Sequence, residues 1–136
     1  AGRALAAARA AGRQGWWRPG QVALDIVVLD DPELGDVVLS EHLGSLDVAD
    51  PRAAVLVQTL VTWLDRGQRL DPTARALTVH PNTVRHRLGR LAALTGLAAP
   101  TDFRQRAHVW WAAQRWLAIH RDTARPGGAT PPGTDR

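Results

Sequence analysis

The fold of this chain is decided by the stretch DPTARALTVHPNTVRHRLGRLAAL, residues 71–94. Asp71 followed by Pro72 is typical of a helix start, because the carboxylate can cap free N–H groups and proline is tolerated at the first helical position. Residues 78–80 interrupt the apolar pattern, and Pro81 indicates the start of a second helix. The stretch therefore predicts two short helices joined by a tight turn.

The second of these helices has two chemically different faces. A rotation of about 100° per residue places three apolar side chains on one side: Val84, Leu88 and Leu91. The opposite side carries amide, imidazole and guanidinium groups: Asn82, His86 and Arg90, flanked by Thr83, Arg85 and Arg87. Such groups can hydrogen-bond base edges and hold phosphates. The pattern predicts a helix-turn-helix that binds DNA.

A basic outer face also occurs on helices that never meet DNA, where the arginines only keep the surface solvated. In this chain, however, no Asp or Glu lies between Asp71 and Asp102 to balance the arginines. Asn82 and Thr83 fall in the first turn of the second helix, which is where a recognition helix contacts the major groove. These features favour DNA binding. A helical interaction module without direct DNA binding is the alternative.

The expected DNA contacts follow from side-chain chemistry. Asn82 suits adenine, His86 can donate to a guanine acceptor, and Thr83 can reach a base or a phosphate. Thr73 and Arg75, near the start of the first helix, are expected to meet phosphates on one wall of the groove. The arginines of the second helix are expected mainly to hold the DNA backbone. The predicted contact residues are Thr73, Arg75, His80, Pro81, Asn82, Thr83, Arg85, His86, Arg87 and Arg90.

Residues 73–97, TARALTVHPNTVRHRLGRLAALTGL, resemble the C-terminal helix-turn-helix of PucR-type bacterial transcriptional regulators. The family pattern is close to A-R-x-L-x-V-H-x-N-T-V-x-Y-R-L-x-R-I, followed by L-T-G. Upstream, TLVTWLDRGQRL (residues 59–70) is similar to the preceding helix and turn. Downstream, PTDFRQRAHVWWAAQRWLA (residues 100–118) fits the family's closing helix in placement more than in letters, and together the resemblance covers about residues 50–118. The chain departs from the pattern at Pro81, His86 and Gly89, where the family often has Arg, Tyr and a basic residue.

This resemblance implies a transcription regulator that binds double-stranded DNA and acts as a homodimer or higher oligomer. It also implies that any small-molecule effector binds upstream of this segment. Because the departures lie on or beside the outer face of the second helix, the resemblance predicts the fold more securely than any operator sequence.

Helix signals elsewhere predict a mainly all-α fold, a helical bundle that contains the helix-turn-helix. Asp31 with Pro32 predicts a helix that ends at Gly44, and Asp50 with Pro51 predicts another that ends at Gly67. Asp102 and Gln105 form a plausible capping box for a last helix that ends near His120. The β-branched run at residues 22–29 fits either an edge strand or a buried turn of helix.

We divide the chain into three parts on this basis. Residues 1–49 are expected to be the C-terminal remnant of an upstream α/β regulatory domain, and residues 50–120 the DNA-binding domain. Residues 121–136, rich in Gly, Pro and Thr, are expected to be a disordered tail. The sequence contains no methionine, which suggests a fragment of a longer protein.

The last helix is apolar over much of its circumference and carries three tryptophans. Such a helix is either central in a core or part of an interface. Since one helix-turn-helix contacts few base pairs, we predict a dimer interface that includes Trp110, Trp111 and Trp116, with burial in the core as the alternative.

The composition narrows the remaining classes of function. The net charge of +4, with 17 basic residues that are all arginine, favours an anionic partner, although a GC-rich coding bias accounts for part of it. There is no cysteine, no apolar run near 18 residues and no signal peptide, so we expect a cytoplasmic protein without a membrane segment. The histidines and carboxylates show neither catalytic nor metal-ligand spacing. We therefore expect no enzyme activity, no metal and no cofactor.

Overall fold

The computed structural model describes residues 23–126, which fold into six α-helices. In chain order they are α1 (Ala23–Asp30), α2 (Pro32–Leu43), α3 (Pro51–Asp65), α4 (Leu70–Leu77), α5 (Pro81–Thr95) and α6 (Phe103–Ala124). No strand occurs in this part of the chain. The prediction of an all-α bundle is confirmed. Within the same residues no helix combines the length and apolar character needed to cross a membrane.

Aspartate caps begin several of these helices, as the sequence predicts. At α3 the Asp50 carboxylate accepts a hydrogen bond from the Arg52 backbone N–H at 2.9 Å. At α6 the Asp102 carboxylate accepts from the Gln105 N–H at 2.8 Å, while the Gln105 side-chain oxygen accepts from the Thr101 N–H at 2.9 Å. Because these caps satisfy donors that have no partner within the helix, they fix where each helix begins.

Two helix boundaries differ from the predictions, and for residues 22–29 the structure shows the helical one of the two alternatives. Helix α4 begins at Leu70, with Arg69 as a cap residue that makes no side-chain cap bond, so Asp71 lies inside the first turn and favours the helix dipole there. The ambiguous run at residues 22–29 is helical from Ala23 onward, as α1. Helix α6 continues to Ala124, past the predicted end near His120. The start of the expected tail is therefore helical, and residues 127–136 lie outside the described part.

The core forms where α6 lies across α2 and α3. Its largest fully buried side chain is that of Trp116, and aliphatic residues of the other helices surround it. The fully or almost fully buried members are Leu43, Val57, Leu60, Leu91, Ala112, Ala113 and Trp116. An exposed ion pair between Arg115 and Asp36, 2.7 Å apart, joins α6 to α2 and adds little to stability because water screens it.

Trp110 and Trp116 of α6 lie in this core and Trp111 packs against it partly buried, as the alternative of core burial expects, while the dimer interface stays a prediction. Trp116 is fully buried, and Trp110 is buried with its indole N–H donating to Asp65 at 3.1 Å. Trp111 is half-buried against α2, where a Cβ added at Gly35 would lie 3.6 Å from its Nε1. A second copy of the chain could not reach the Trp116 ring without opening the fold.

The core also extends across the predicted domain boundary at residues 49 and 50. Val28, Val38, Leu43 and Leu46 are buried together with residues of α3 and α6. The described part of residues 1–49 is thus helical and packed on the helix-turn-helix bundle. Residues 1–22 of the expected upstream remnant, residues 1–49, lie outside the described residues, so the domain division stays a prediction.

Candidate nucleic-acid interface

The turn between α4 and α5 sets the geometry of the interface. It consists of residues 78–80, and Thr78 adopts the left-handed conformation with φ of 55°. The Val79 N–H donates to the Ala74 carbonyl at 3.0 Å, which closes the end of α4. On the other side, His80 Nδ1 accepts from the Asn82 N–H at 3.0 Å and caps α5. Two successive caps hold the turn short, as a helix-turn-helix requires.

Packing then determines which face of α5 is exposed. Val84 and Leu91 are almost completely buried, and Leu88 packs beside them. This confirms the predicted apolar seam. The opposite face is exposed to solvent and carries Asn82, Arg85, His86, Gly89 and Arg90. Pro81 and Thr83 are partly buried at its N-terminal edge. We call these five exposed residues the outer face of α5.

Two side chains of the outer face are already joined. The Arg85 guanidinium donates from Nη1 to the Asn82 side-chain oxygen at 3.1 Å, across one helical turn. A carboxamide oxygen has two lone pairs, so Asn82 can accept a second hydrogen bond, and its NH₂ group remains a donor. The contact orients the amide before any ligand arrives. This pairing was not evident from the sequence, although the three-residue spacing permits it.

Gly89 gives the middle of the outer face an unobstructed backbone. A Cβ added there would have no other atom within 4 Å. The position does not need glycine for space within the protein, and glycine lowers helix stability by about 1 kcal/mol relative to alanine. Its absence of a side chain leaves the α5 backbone open to close approach by a partner.

Two of the predicted contact residues are turned away from this face. Thr73 is fully buried, and its hydroxyl donates to the Arg69 carbonyl at 2.6 Å, so its side chain is not available to a phosphate. Arg87 lies on the side of α5 that packs on α3, where its Nη1 is 3.5 Å from Thr59 Oγ1. Helical periodicity already places Arg87 about 60° around the helix from Val84 in the apolar seam. Both residues are therefore removed from the candidate interface.

The other predicted residues remain on one surface. Arg75 is exposed on α4, and His80 is exposed in the turn that directly precedes α5. Helix α5 contains four basic or imidazole side chains and no carboxylate. The surface formed by the turn and the outer face of α5 therefore offers hydrogen-bond donors and positive charge to an anionic partner.

Comparison with known proteins gives a family match over the same helices. Residues 56–114 match the PucR C-terminal helix-turn-helix domain. The chain is 35% identical over 81 residues, 58% of its length, to the transcriptional activator PmfR of Paenarthrobacter nicotinovorans. It is 47% identical over 53 residues, 37% of its length, to an uncharacterized protein of Mycobacterium tuberculosis (strain ATCC 25618 / H37Rv).

These alignments cover only a small part of each relative. The matched segment spans 17% of the activator from Paenarthrobacter nicotinovorans and 13% of the Mycobacterium tuberculosis protein. No solved structure matches the chain.

Proposed function

We propose that the chain reads DNA sequence with α5 in the major groove. The match of residues 56–114 to the PucR C-terminal helix-turn-helix domain supports this proposal. The observation that carries the proposal is the division of α5 into a buried apolar seam and an exposed face of amide, imidazole and guanidinium groups. An α-helix fits the major groove, where each base pair presents a distinct set of donors and acceptors.

The proposed roles follow from exposure and chemistry. Asn82, oriented by Arg85, contacts adenine, and His86 donates to a guanine acceptor one turn later. Arg85 and Arg90 hold phosphates on either side of the groove, and Arg75 holds one beside α4. Thr83, Pro81 and the exposed edge of His80 line the entry of α5 into the groove. Thr73 and Arg87 support the helices and do not contact DNA.

We also propose that two copies bind together, since a single helix-turn-helix covers too few base pairs for useful specificity. The buried rings of Trp110 and Trp116 are poor candidates for this contact, and Trp111 is only partly exposed. The exposed apolar side chains of α1 and α2, such as Val27 at 63% and Val37 at 53% exposure, are the better candidates. We further place the chain in the bacterial cytoplasm, within a regulator whose effector binds upstream.

The same apolar side chains support a second candidate function, a helical interaction module that binds a protein and not DNA. Leu24, Val27, Leu34 and Val37 are each more than two-fifths exposed on α1 and α2. Under this alternative, removing arginine charge from α5 would have no specific effect on nucleic-acid binding.

The experiment that separates the two functions is the salt dependence of DNA binding. Fluorescence anisotropy of a labelled duplex gives the dissociation constant of the chain at several salt concentrations. The slope of log K against log[salt] reports the number of phosphates neutralised, about 0.9 per phosphate. Arg85→Gln should reduce this slope by about one ion. Arg104→Gln, an exposed arginine at the start of α6, is the matched control and should leave it unchanged.

Binding without a salt slope, or an equal loss in the Arg85 and Arg104 variants, would contradict the proposal and support the interaction module. Circular dichroism of both variants establishes that the helices are intact.

A further inference from the structure

A basic cleft lies on the side of the bundle where α3 is exposed between α6 and the helix-turn-helix. It has a volume of about 360 Å³. Its floor is the N-terminal half of α3, and its walls are the end of α4, the middle of α5 and the C-terminal part of α6. None of its residues belongs to the outer face of α5. The cleft is thus a feature separate from the proposed DNA contact surface.

Three side chains that can carry positive charge line this cleft. They are Arg87, His120 and Arg121, and the lining contains no Asp or Glu. Within the described residues Arg87 has only the long contact to Thr59 Oγ1 at 3.5 Å. Arg121 is half-buried and forms no salt bridge with a described carboxylate. Two guanidinium groups from different helices therefore share one cavity with no carboxylate in its lining.

The burial of Arg121 makes this arrangement costly. Desolvation lowers the pKa of its guanidinium, and the charge of neighbouring Asp122 only partly opposes that effect. A charged group that is removed from water is stabilised when an opposite charge and further hydrogen bonds replace its hydration. An anion bound in the cleft would supply both. A guanidinium also matches the geometry of a carboxylate, with two parallel N–H donors.

The remaining lining is mostly apolar, with Gln58 and Thr59 as its polar members, and the His120 side of it is rigid. Val55 is 45% exposed on the floor, and Leu77 and Leu117 stand on opposite walls. The His120 ring is held in place, because it stacks on Trp116 with ring centres 5.4 Å apart and its Nδ1 lies 2.6 Å from the Val48 carbonyl oxygen. Sites for small molecules typically have volumes of about 300–1,000 Å³, mostly apolar walls and a few placed polar groups.

We propose that this basic cleft is a binding site for a small organic anion, in which Arg87 and Arg121 hold a carboxylate and the apolar floor holds the body. The cleft is large enough for a carboxylate attached to a single ring. The proposal is independent of DNA reading by α5, because it uses residues that the outer face does not contain.

The test is a titration of the ¹⁵N-labelled chain with benzoate, followed by NMR of the backbone and of the arginine Nε–Hε groups. Benzoate should bind saturably, with a dissociation constant of about 1 mM or tighter, and should shift the Arg87 and Arg121 resonances. Acetate carries the carboxylate without the ring, and benzamide carries the ring without the charge. Each should bind at least about tenfold more weakly, which corresponds to about 1.4 kcal/mol.

Variants assign the site. Arg121→Gln and, separately, Arg87→Gln should each weaken benzoate binding at least about tenfold. Arg104→Gln is the matched control at the other end of α6, about 25 Å away at 1.5 Å per residue, and should bind benzoate as the unmodified chain does. Circular dichroism shows whether each variant is folded. If one arginine variant fails to fold, the other variant and the three probes still decide the outcome.

Four results of the ligand titrations would overturn the proposal. These are the absence of saturable benzoate binding, binding of benzamide or acetate as tight as that of benzoate, shifts confined to residues outside the cleft, and unchanged affinity in both arginine variants. A loss of about one ion from the salt slope of DNA binding in Arg121→Gln would also overturn it, because the guanidinium would then hold a DNA phosphate. Failure of DNA reading by α5 would leave the benzoate, acetate and benzamide readouts unaffected.

Discussion

Replacing Gly89 by alanine should raise the stability of the protein and lower its affinity for DNA. Gly89 lies inside α5, its added methyl group would meet no atom within 4 Å, and its φ is not in the left-handed region. The whole difference in intrinsic helix propensity, about 0.8–1.0 kcal/mol, should therefore appear in the free energy of unfolding. For a domain of this size that corresponds to an increase in Tm of about 3–5 °C.

The effect on DNA binding should have the opposite sign. Under the proposed function the outer face of α5 lies against base edges, so a methyl group at position 89 must fit into a contact already formed. Overpacking a close contact costs about 1–3 kcal/mol, which predicts at least a fivefold loss of affinity. Urea unfolding measures the first effect, and fluorescence anisotropy of a labelled operator duplex measures the second.

Opposite signs distinguish a direct contact from a general change in stability. Ser40→Ala is the matched control, since Ser40 is exposed on α2 and alanine is the better helix former by a few tenths of a kcal/mol. It should raise stability slightly and leave DNA affinity unchanged. A stabilised Gly89→Ala variant with undiminished affinity would refute close approach of the α5 backbone to DNA. An absence of any stability gain would refute the helix account itself.

Two further substitutions test the roles of buried residues. Thr73→Val should destabilise the protein by about 1 kcal/mol, because the hydrogen bond from the hydroxyl to the Arg69 carbonyl is lost. DNA affinity and its salt slope should be unchanged. A reduced salt slope would show that Thr73 contacts DNA. Trp116→Ala should lower the free energy of unfolding, measured in urea, by about 3–5 kcal/mol, because removal of a fully buried indole leaves a cavity. A variant of normal stability that changes only from dimer to monomer in sedimentation would place the ring in an interface.

The helix-turn-helix was predictable because its signals are local. Two helix starts are predicted correctly from neighbouring residues. One is Asp50 with Pro51, and the other is Pro81 after an interrupted apolar run. The buried seam of α5 follows from three- and four-residue spacing alone. Asp71 with Pro72 predicts a helix start two residues too late, because the helix begins at Leu70 and Arg69 is its cap residue.

The placement of individual side chains was less predictable, because it depends on contacts distant in sequence. Thr73 is buried through the packing of α4 on α3 and α5, which its hydroxyl gives no reason to expect. Three tryptophans on one helix of a small domain favour an interface as much as a core, but α2 packs on α6 and enlarges the core in which Trp110 and Trp116 are buried. Arg87 could have been placed from helical rotation, since it lies near the Val84 seam.

The most direct test of the central claim is selection of bound sequences from a random duplex pool, performed with the unmodified chain and with Asn82→Ala. The unmodified chain should select a defined motif, with two half-sites as an inverted repeat about one helical turn apart. The variant should select the same motif with one base position per half-site no longer specified, and should bind the original operator about 1–3 kcal/mol more weakly. An identical motif selected with equal affinity by both proteins would show that α5 does not read DNA through its outer face.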